Sequence, residues 1–233
     1  MTEPELLIPF NTDYGTHVEG LVMSGDPKQS GPVVLGGRDK NNTTNEFRTQ
    51  LKLSPMHRFL ALGYTAVKFN QQWRMHRAIF EPSNLFHYGG EVYTHDSLNT
   101  PIPAEYSDLM AKMCRISDKS ASDMNDTQRR LGWARPLEGV SRKSTVSQSL
   151  ANVEYAKFVI SCVRHLMEAL GANVSSKCAI ITPYRRQAQL YQELFSKLLR
   201  EELWKHEELP AVVTIDSAQG KEWDIVLQDI VNV

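Results

Sequence analysis

The stretch VVTIDSAQGKEWDIVLQDIV, residues 212–231, contains two apolar runs separated by a polar turn. The runs VVTI and DIVLQDIV are short, rich in β-branched residues and bounded by turn residues, which predicts two strands. The turn DSAQGKE carries more hydrogen-bonding side chains than a connection between strands needs. The stretch therefore predicts part of a sheet, with a candidate binding turn at the end of one strand.

Strands and helices alternate in the sequence before this stretch. Apolar residues recur at helical spacing through NVEYAKFVISCVRHLMEAL, and Gly171 follows where the helix is expected to end. CAIITPY (178–184) predicts a buried strand, and RRQAQLYQELFSKLLREELW predicts a long amphipathic helix. The order strand, helix, strand predicts an α/β fold with a largely parallel sheet.

The N-terminal part contains shorter signals of the same kind. Thr2 and Glu5 have the spacing of a capping box at a helix start, and MHRFLALG predicts a short helix ended by Gly63. GLVMS and YTAVKF are strand-like apolar runs. Residues 101–148 lack sustained periodicity, which predicts a long insertion or mobile loop.

Three polar turns, GDPKQ, TPYRRQ and DSAQGKE, each follow a strand-like run. Ligands bind outside the carboxyl ends of the strands in open parallel sheets. We therefore expect the three turns to lie along one edge of the sheet and to form one binding region.

Composition limits the class of protein. The 233 residues are 41% hydrophobic and 23% charged, with a net charge of −1, so a sizeable core is expected and no global basic field indicates nucleic-acid binding. A local basic groove remains compatible with this composition.

The three cysteines form no C-x-x-C pair, which predicts reduced thiols in an intracellular protein, cytoplasmic or nuclear, and gives little support for a zinc site. No apolar run reaches the ~18 residues of a membrane span, so no membrane association is expected.

Four blocks, in this order, resemble the helicase core of superfamily 1, in the branch of the up-frameshift RNA helicase and senataxin. GLVMSGDPKQSGPVV is similar to that family's third motif, and FNQQWRMHRAI to its Gln-Tyr-Arg-Met-His-Pro signature. AIITPYRRQ resembles the fourth motif, and VVTIDSAQGKEWDIV the fifth. Two residues depart from the signature: Trp73 replaces Tyr, and Arg77 replaces Pro. The resemblance implies a P-loop NTPase (RecA-like) fold, a parallel sheet flanked by helices.

The resemblance also implies site residues. Gln29 and Arg74 would act on the γ-phosphate as catalytic groups, since an amide orients water and a guanidinium binds phosphate oxygens in pairs. ATP and Mg²⁺ are the cofactors in the full-length family context, and single-stranded RNA or DNA is the partner. The other nucleotide contacts are Gln72, Trp73, Gly220 and Glu222. The expected nucleic-acid contacts are Thr182, Tyr184, Arg185, Ser217 and Gln219.

Three elements of a complete motor do not occur in this sequence. It contains no G-x-x-x-x-G-K-[ST], no acidic pair after an apolar strand before GDPKQ, and no final arginine-bearing motif. We therefore expect an incomplete first RecA-like domain at 1–70 and most of a second at 71–233. We expect no ATP hydrolysis and no tight nucleotide binding by this chain alone, and no metal site. Its expected partner is the missing N-terminal half of the motor or another protein.

Three functions remain open on the sequence. The chain is part of an ATP-dependent helicase, or it is a stand-alone helicase-like module that binds nucleic acid or protein without catalysis, or it is an unrelated α/β interaction domain. The fourth and fifth blocks argue against the third. For Arg74 and His76, the sequence also leaves open a purely structural role at the cap of the following helix.

Overall fold

The structure is a computed structural model that describes residues 2–10, 17–29, 31–32, 34, 45–103, 106, 130–132, 140–143, 149–171 and 174–231. It divides into two compact units, residues 1–99 and 100–233. The first contains α1 (Glu3–Leu7), α2 (Arg48–Leu51), α3 (Pro55–Ala61), β1 (Gln71–Gln72), α4 (Arg77–Tyr88) and β2 (Tyr93–Thr94). The second contains β3 (Arg142–Lys143), β4 (Leu150–Ala151), α5 (Val153–Leu170), α6 (Val174–Lys177), β5 (Cys178–Thr182), α7 (Arg185–Arg200), β6 (Ala211–Thr214), α8 (Ile215–Ala218) and β7 (Ile225–Gln228).

The second unit is built on a three-stranded parallel sheet in the order β6-β5-β7. The central strand β5 is almost completely buried, because a parallel sheet is covered on its faces by the helices that connect its strands. Helices α5 and α7 supply most of the other core residues, including Val163, Leu166, Tyr191 and Phe195. The predicted α/β fold with a parallel sheet and flanking helices is confirmed.

Helix α5 begins and ends where its sequence indicates, whereas α7 ends at Arg200, four residues before the predicted end at Trp204. Asn152 caps α5 by accepting hydrogen bonds from the backbone N–H groups of Glu154 and Tyr155, both at 3.1 Å. Gly171 ends α5 with a φ of 71°, a conformation that favours glycine. The predicted strands at 178–184, 212–215 and 224–231 appear as β5, β6 and β7. β5 and β7 are shorter than their apolar runs, and β6 begins and ends one residue earlier than predicted.

The first unit contains helix α4 and the parallel pair β1–β2, in which Gln71 pairs with Tyr93 and Gln72 with Thr94. Helix α4 ends at Gly89 in the left-handed conformation. The capping box of Thr2 and Glu5 is present at the start of α1, and α3 is followed by Gly63 with a φ of 83°, as predicted.

Two predicted strands of the first unit are absent. GLVMS and YTAVKF do not form strands, and Val22, Val67 and Phe69 in these segments are 95%, 81% and 88% exposed. A strand requires a hydrogen-bonded neighbour, and no strand of the described residues pairs with either segment. The prediction was therefore wrong for this structure, although both segments keep strand-like sequences.

Most of the predicted insertion at 101–148 lies outside the described residues. The predicted domain boundary at residues 70 and 71 stays a prediction. No helix within the described ranges is long and apolar enough to cross a membrane.

Candidate nucleotide and nucleic-acid sites

A tight turn, residues 72–75, presents Trp73 and Arg74. The Oε1 atom of Gln72 accepts from the backbone N–H groups of Arg74 (2.9 Å) and Met75 (3.0 Å). Its Nε2 atom donates to the Met75 carbonyl (2.6 Å) and to Thr94 Oγ1 (2.7 Å). A side-chain amide has two donors and two acceptor positions, so that of Gln72 is fully used inside the protein. Gln72 therefore shapes the turn, and the expected direct contact between its side chain and a nucleotide does not fit this arrangement.

Trp73 is 60% exposed, and its ring is stacked on that of His95 with ring centroids 3.4 Å apart and an angle of 21° between the planes. The imidazole covers one face of the indole. The exposed area leaves room for a planar base on the ring. This arrangement fits an adenine contact at Trp73.

Gln29 lies in a turn that is attached to α4. The Asp26 carboxylate accepts hydrogen bonds from the Tyr88 hydroxyl (2.5 Å), the Lys28 backbone N–H (2.9 Å) and Gln29 Nε2 (3.2 Å). Partial burial opposes ionisation of Asp26, but these hydrogen bonds hold the pKa of its carboxyl below the ordinary value. Partial burial and the Asp26 carboxylate raise the pKa of Tyr88 to about 12, so its hydroxyl remains a donor. The Gln29 turn is therefore hydrogen-bonded to α4, the helix that follows the turn containing Arg74.

Of the residues that follow Trp73, some are exposed to solvent and others stabilise the start of α4. Arg74 is exposed on the turn. His76 caps α4, because its Nδ1 atom accepts from the Ala78 backbone N–H at 3.1 Å, so the predicted capping contact is present for His76. Arg77, in place of Pro, begins α4 and lies 3.7 Å from Glu81 one turn later.

At the carboxyl end of β5, the predicted strand-binding residues differ in exposure. Thr182 is completely buried, and its hydroxyl accepts from the Tyr184 backbone N–H at 3.4 Å. Its expected contact with nucleic acid does not fit this burial, and the contact with Tyr184 gives it a structural role. Tyr184 precedes α7, and Arg185 is exposed in the first turn of that helix. Neighbouring Arg186 is instead paired with Glu193 at 2.6 Å.

At the carboxyl end of β6, the turn DSAQGKE begins with the short helix α8. Ser217 Oγ accepts from the Thr214 backbone N–H at 2.9 Å and donates to the Thr214 carbonyl at 3.0 Å, so its hydroxyl holds the turn together. Gln219, Gly220 and Glu222 are exposed, and Gly220 has a φ of 80°. These exposed groups follow a strand that pairs with β5.

Two of the three predicted turns are therefore brought together. Thr182 and Thr214, the last residues of β5 and β6, are partners in the parallel register, and adjacent strands lie about 4.8 Å apart. TPYRRQ and DSAQGKE consequently leave the same sheet edge side by side. Within the described residues, no strand precedes GDPKQ, so the expectation that each turn follows a strand is correct for two turns and wrong for the third.

A buried polar network near this edge was not found by sequence reasoning. Gln187 Nε2 donates to Asp229 Oδ2 (2.7 Å) and to the Asn152 carbonyl (3.1 Å), and Gln187 Oε1 accepts from the Asn152 backbone N–H (2.8 Å). Tyr191 donates its hydroxyl to Asp229 at 2.5 Å. Burial, together with the nearby carboxylate, raises the pKa of Tyr191. A polar residue inside an apolar run, such as Asp229 in DIVLQDIV, is the signal that could have indicated this network.

The described cysteines and acidic residues have no metal-binding arrangement. Burial raises the pKa of the Cys162 thiol to about 11 and that of Cys178 to about 12, and both are free thiols. Within the described part of the chain, no three His, Cys, Asp or Glu side chains are grouped to hold a metal ion.

Comparisons with known proteins support the resemblance to superfamily 1 helicases. The family model described as an AAA domain matches residues 51–233. The chain is similar to the regulator of nonsense transcripts 1 homolog of Arabidopsis thaliana, with 27% identity over 240 residues that cover 97% of this chain and 16% of that protein. The Dictyostelium discoideum regulator of nonsense transcripts 1 gives 27% identity over 237 residues, covering 97% and 15%.

A third relative comes from an archaeon. An uncharacterized ATP-dependent helicase of Methanocaldococcus jannaschii, MJ0104, is 26% identical over 228 residues, which cover 97% of this chain and 29% of that protein. The chain thus spans less than a third of the length of each of these three relatives.

Proposed function

The chain belongs to the AAA domain family and is similar to superfamily 1 helicases, and from this premise we propose that it contributes part of an ATP-dependent helicase. Its second unit contacts a single strand of RNA or DNA. Its first unit senses the nucleotide, with Trp73 against the base and with Gln29 and Arg74 at the γ-phosphate. In the complete motor, hydrolysis of ATP would supply the free energy, and Mg²⁺ would neutralise charge on the β- and γ-phosphates.

One observation carries the nucleic-acid part of the proposal. The turns after β5 and β6 leave the same edge of a parallel sheet, and they present Tyr184, Arg185 and Gln219. A guanidinium can bind a phosphate, a tyrosine ring can stack on a base, and an amide can bond to either. Thr182 and Ser217 support these turns through their contacts with Tyr184 and Thr214.

The test compares two arginines on one helix. Arg185 lies in the first turn of α7 and Arg200 in its last, about 22 Å apart at 1.5 Å per residue. Arg185→Ala should weaken binding of a fluorescently labelled single strand about three- to tenfold and reduce the salt slope by about 0.7, the loss of one phosphate contact. Arg200→Ala should leave the affinity within about twofold of the wild type.

Affinity is measured by fluorescence anisotropy titration. If Arg185→Ala and Arg200→Ala bind the single strand with equal affinity, Arg185 does not contact the nucleic acid. Oligonucleotides of RNA and of DNA, run in parallel over a range of salt concentrations, identify the preferred strand. Both kinds of strand are tested because a mouse relative is named a 5'-3' DNA helicase, whereas the Arabidopsis thaliana relative is named a regulator of nonsense transcripts 1 homolog.

We further propose that the chain does not hydrolyse ATP by itself. Phosphoryl transfer requires a cradle for the β- and γ-phosphates and a held magnesium ion, and the 233 residues contain no G-x-x-x-x-G-K-[ST]. A phosphate-release assay should find no turnover. Magnesium-dependent turnover that Arg74→Ala abolishes would overturn this proposal.

Exposed apolar side chains support a protein partner for the first unit. Val22, Val67 and Phe69 are each more than 80% exposed, on segments with strand-like sequences. Such surface is typical of an interaction site. We propose that the remainder of the motor, or another protein, covers it. The double variant Val67→Ser/Phe69→Ser should bind less of a hydrophobic dye than the wild type. An unchanged dye signal would mean that these two side chains do not form an accessible apolar surface.

The alternative is a stand-alone module that binds nucleic acid without using a nucleotide. The internally satisfied amide of Gln72 favours it, because one expected nucleotide contact becomes structural. Two results together would support the alternative. The affinity for single-stranded nucleic acid is then the same with and without ADP, and ADP does not bind at Trp73.

A further inference from the structure

The backbone pairing of β1 and β2 places an aromatic ring beside Trp73. Gln72 is the register partner of Thr94, and the His95 backbone N–H donates to the Gln72 carbonyl at 3.1 Å. The residues that follow this pair are Trp73 and His95, whose rings stack at 3.4 Å. The stack is therefore a consequence of strand register, reinforced by the hydrogen bond from Gln72 to Thr94.

The His95 ring is itself held in place. Its Nδ1 atom lies 3.2 Å from the Ser97 backbone nitrogen and 2.7 Å from Ser97 Oγ. A backbone N–H can only donate, so Nδ1 is the acceptor in the contact with the Ser97 backbone. A ring oriented in this way covers one side of the indole and restricts its rotation, although Trp73 is 60% exposed.

We propose that His95 is a positioning residue for a purine base, which stacks on the face of Trp73 opposite the imidazole. This inference rests on the proposed nucleotide-sensing function of the first unit. An exposed indole without a neighbour would lose rotational freedom when a base binds, whereas the His95 stack has already removed that freedom. A purine overlaps the indole more completely than a pyrimidine does, so the site selects adenine or guanine nucleotides over pyrimidine nucleotides.

The experiment uses the full 233-residue chain labelled with 5-fluorotryptophan and observed by fluorine NMR, which detects weak binding. The variant Trp73→Phe assigns the Trp73 resonance. ADP is then titrated into the wild type, with CDP as the pyrimidine comparison. The test variants are His95→Ala, which removes the ring, and His95→Phe, which restores a planar ring without the Ser97 contact. His87→Ala, an exposed histidine of the same unit, is the matched control.

We expect His95→Ala to move the Trp73 resonance in the absence of nucleotide and to weaken ADP binding about three- to tenfold, the scale of one aromatic stack. His95→Phe should restore most of the affinity, and His87→Ala should change neither quantity. CDP should shift the Trp73 resonance less than ADP at equal concentration. Rescue by Phe separates positioning of the ring from a general loss of folding.

Two results would overturn the inference, and they differ in what they say about the proposed function. If ADP shifts the Trp73 resonance equally in the wild type and in His95→Ala, His95 does not position the base and nucleotide sensing stands. If ADP moves no Trp73 resonance in the wild type, the purine contact fails and this inference fails with it. Should His95→Ala unfold the first unit, His95→Leu provides the same comparison with a non-planar side chain.

Discussion

The two units of this chain are stabilised in different ways. The second unit buries a continuous set of side chains from β5, α5 and α7, several of them with no exposed area. In the first unit, the buried apolar side chains of α4 are Ala78 and Phe80, while most of its other large apolar groups are exposed. Hydrogen bonds of single side chains, such as those of Gln72 and Asn84, hold its turns together.

This difference has consequences for function. The proposed strand contacts leave the edge of a packed parallel sheet, so their backbone is fixed by a core. The proposed nucleotide contacts depend on a turn, a two-residue strand pair and one helix. Substitutions should therefore reduce stability strongly in the second unit and mildly in the first, where the same changes act mainly on the site.

The largest effect is expected from Leu166→Ala on α5. Leu166 is completely buried, whereas Leu62 in the first unit is 67% exposed. Leu166→Ala should lower the free energy of unfolding by about 2–5 kcal/mol, because it leaves a cavity in the core. Leu62→Ala should lower it by less than about 0.5 kcal/mol. Urea denaturation followed by circular dichroism measures both, and similar losses would abolish the proposed contrast between the units.

An intermediate effect is expected from Tyr191→Phe, which removes one of the donors to the buried Asp229 carboxylate. The carboxylate keeps the Gln187 amide and the Val231 backbone N–H. A loss of about 1–3 kcal/mol in the free energy of unfolding is expected. Tyr93→Phe, on a 62% exposed ring, is the control and should be close to neutral. A neutral Tyr191→Phe would mean that this network does not stabilise the second unit.

The smallest effect is expected from Tyr88→Phe, at the attachment of the Gln29 turn to α4. Removing the bond to Asp26 should cost about 0.5–1.5 kcal/mol of stability at neutral pH. The pKa of Tyr88 is raised from 10.0 to about 12, so its contribution is complete below pH 10 and is lost as the pH rises towards 12. Thermal melts between pH 9 and 12 should show this loss in the wild type and not in Tyr88→Phe. A wild type and variant that lose stability in parallel would exclude the contact.

The elements with strong local signals were predictable. The helix at 153–170 has apolar residues at regular helical spacing, an Asn cap and a terminal glycine, and its bounds in the structure agree with these. GLVMS and YTAVKF have strand-like compositions but lack a neighbouring strand in the described residues. A strand depends on residues distant in sequence, and composition contains no information about whether that neighbour is present.

The candidate site was predictable in its location and less so in the role of each residue. The motifs correctly placed polar turns after β5 and β6, where Arg185 and Gln219 are exposed. They did not distinguish these residues from Thr182, which is buried, or from Gln72, whose amide is fully bonded. Exposure and hydrogen-bond partners depend on the neighbouring strands, so a motif alone could not assign them.

The sequence by itself determined the alternation of strands and helices, the helix caps and the order of the four motifs, because each depends on residues within a few positions of one another. Only the tertiary structure decided which polar side chains face inwards and which aromatic rings meet. Gln187 and Asp229 are 42 residues apart, and Trp73 lies against His95 across a strand pair. These contacts form when backbone pairing and burial bring distant segments together, and the strength of a hydrogen bond or a stack then depends on that shared environment.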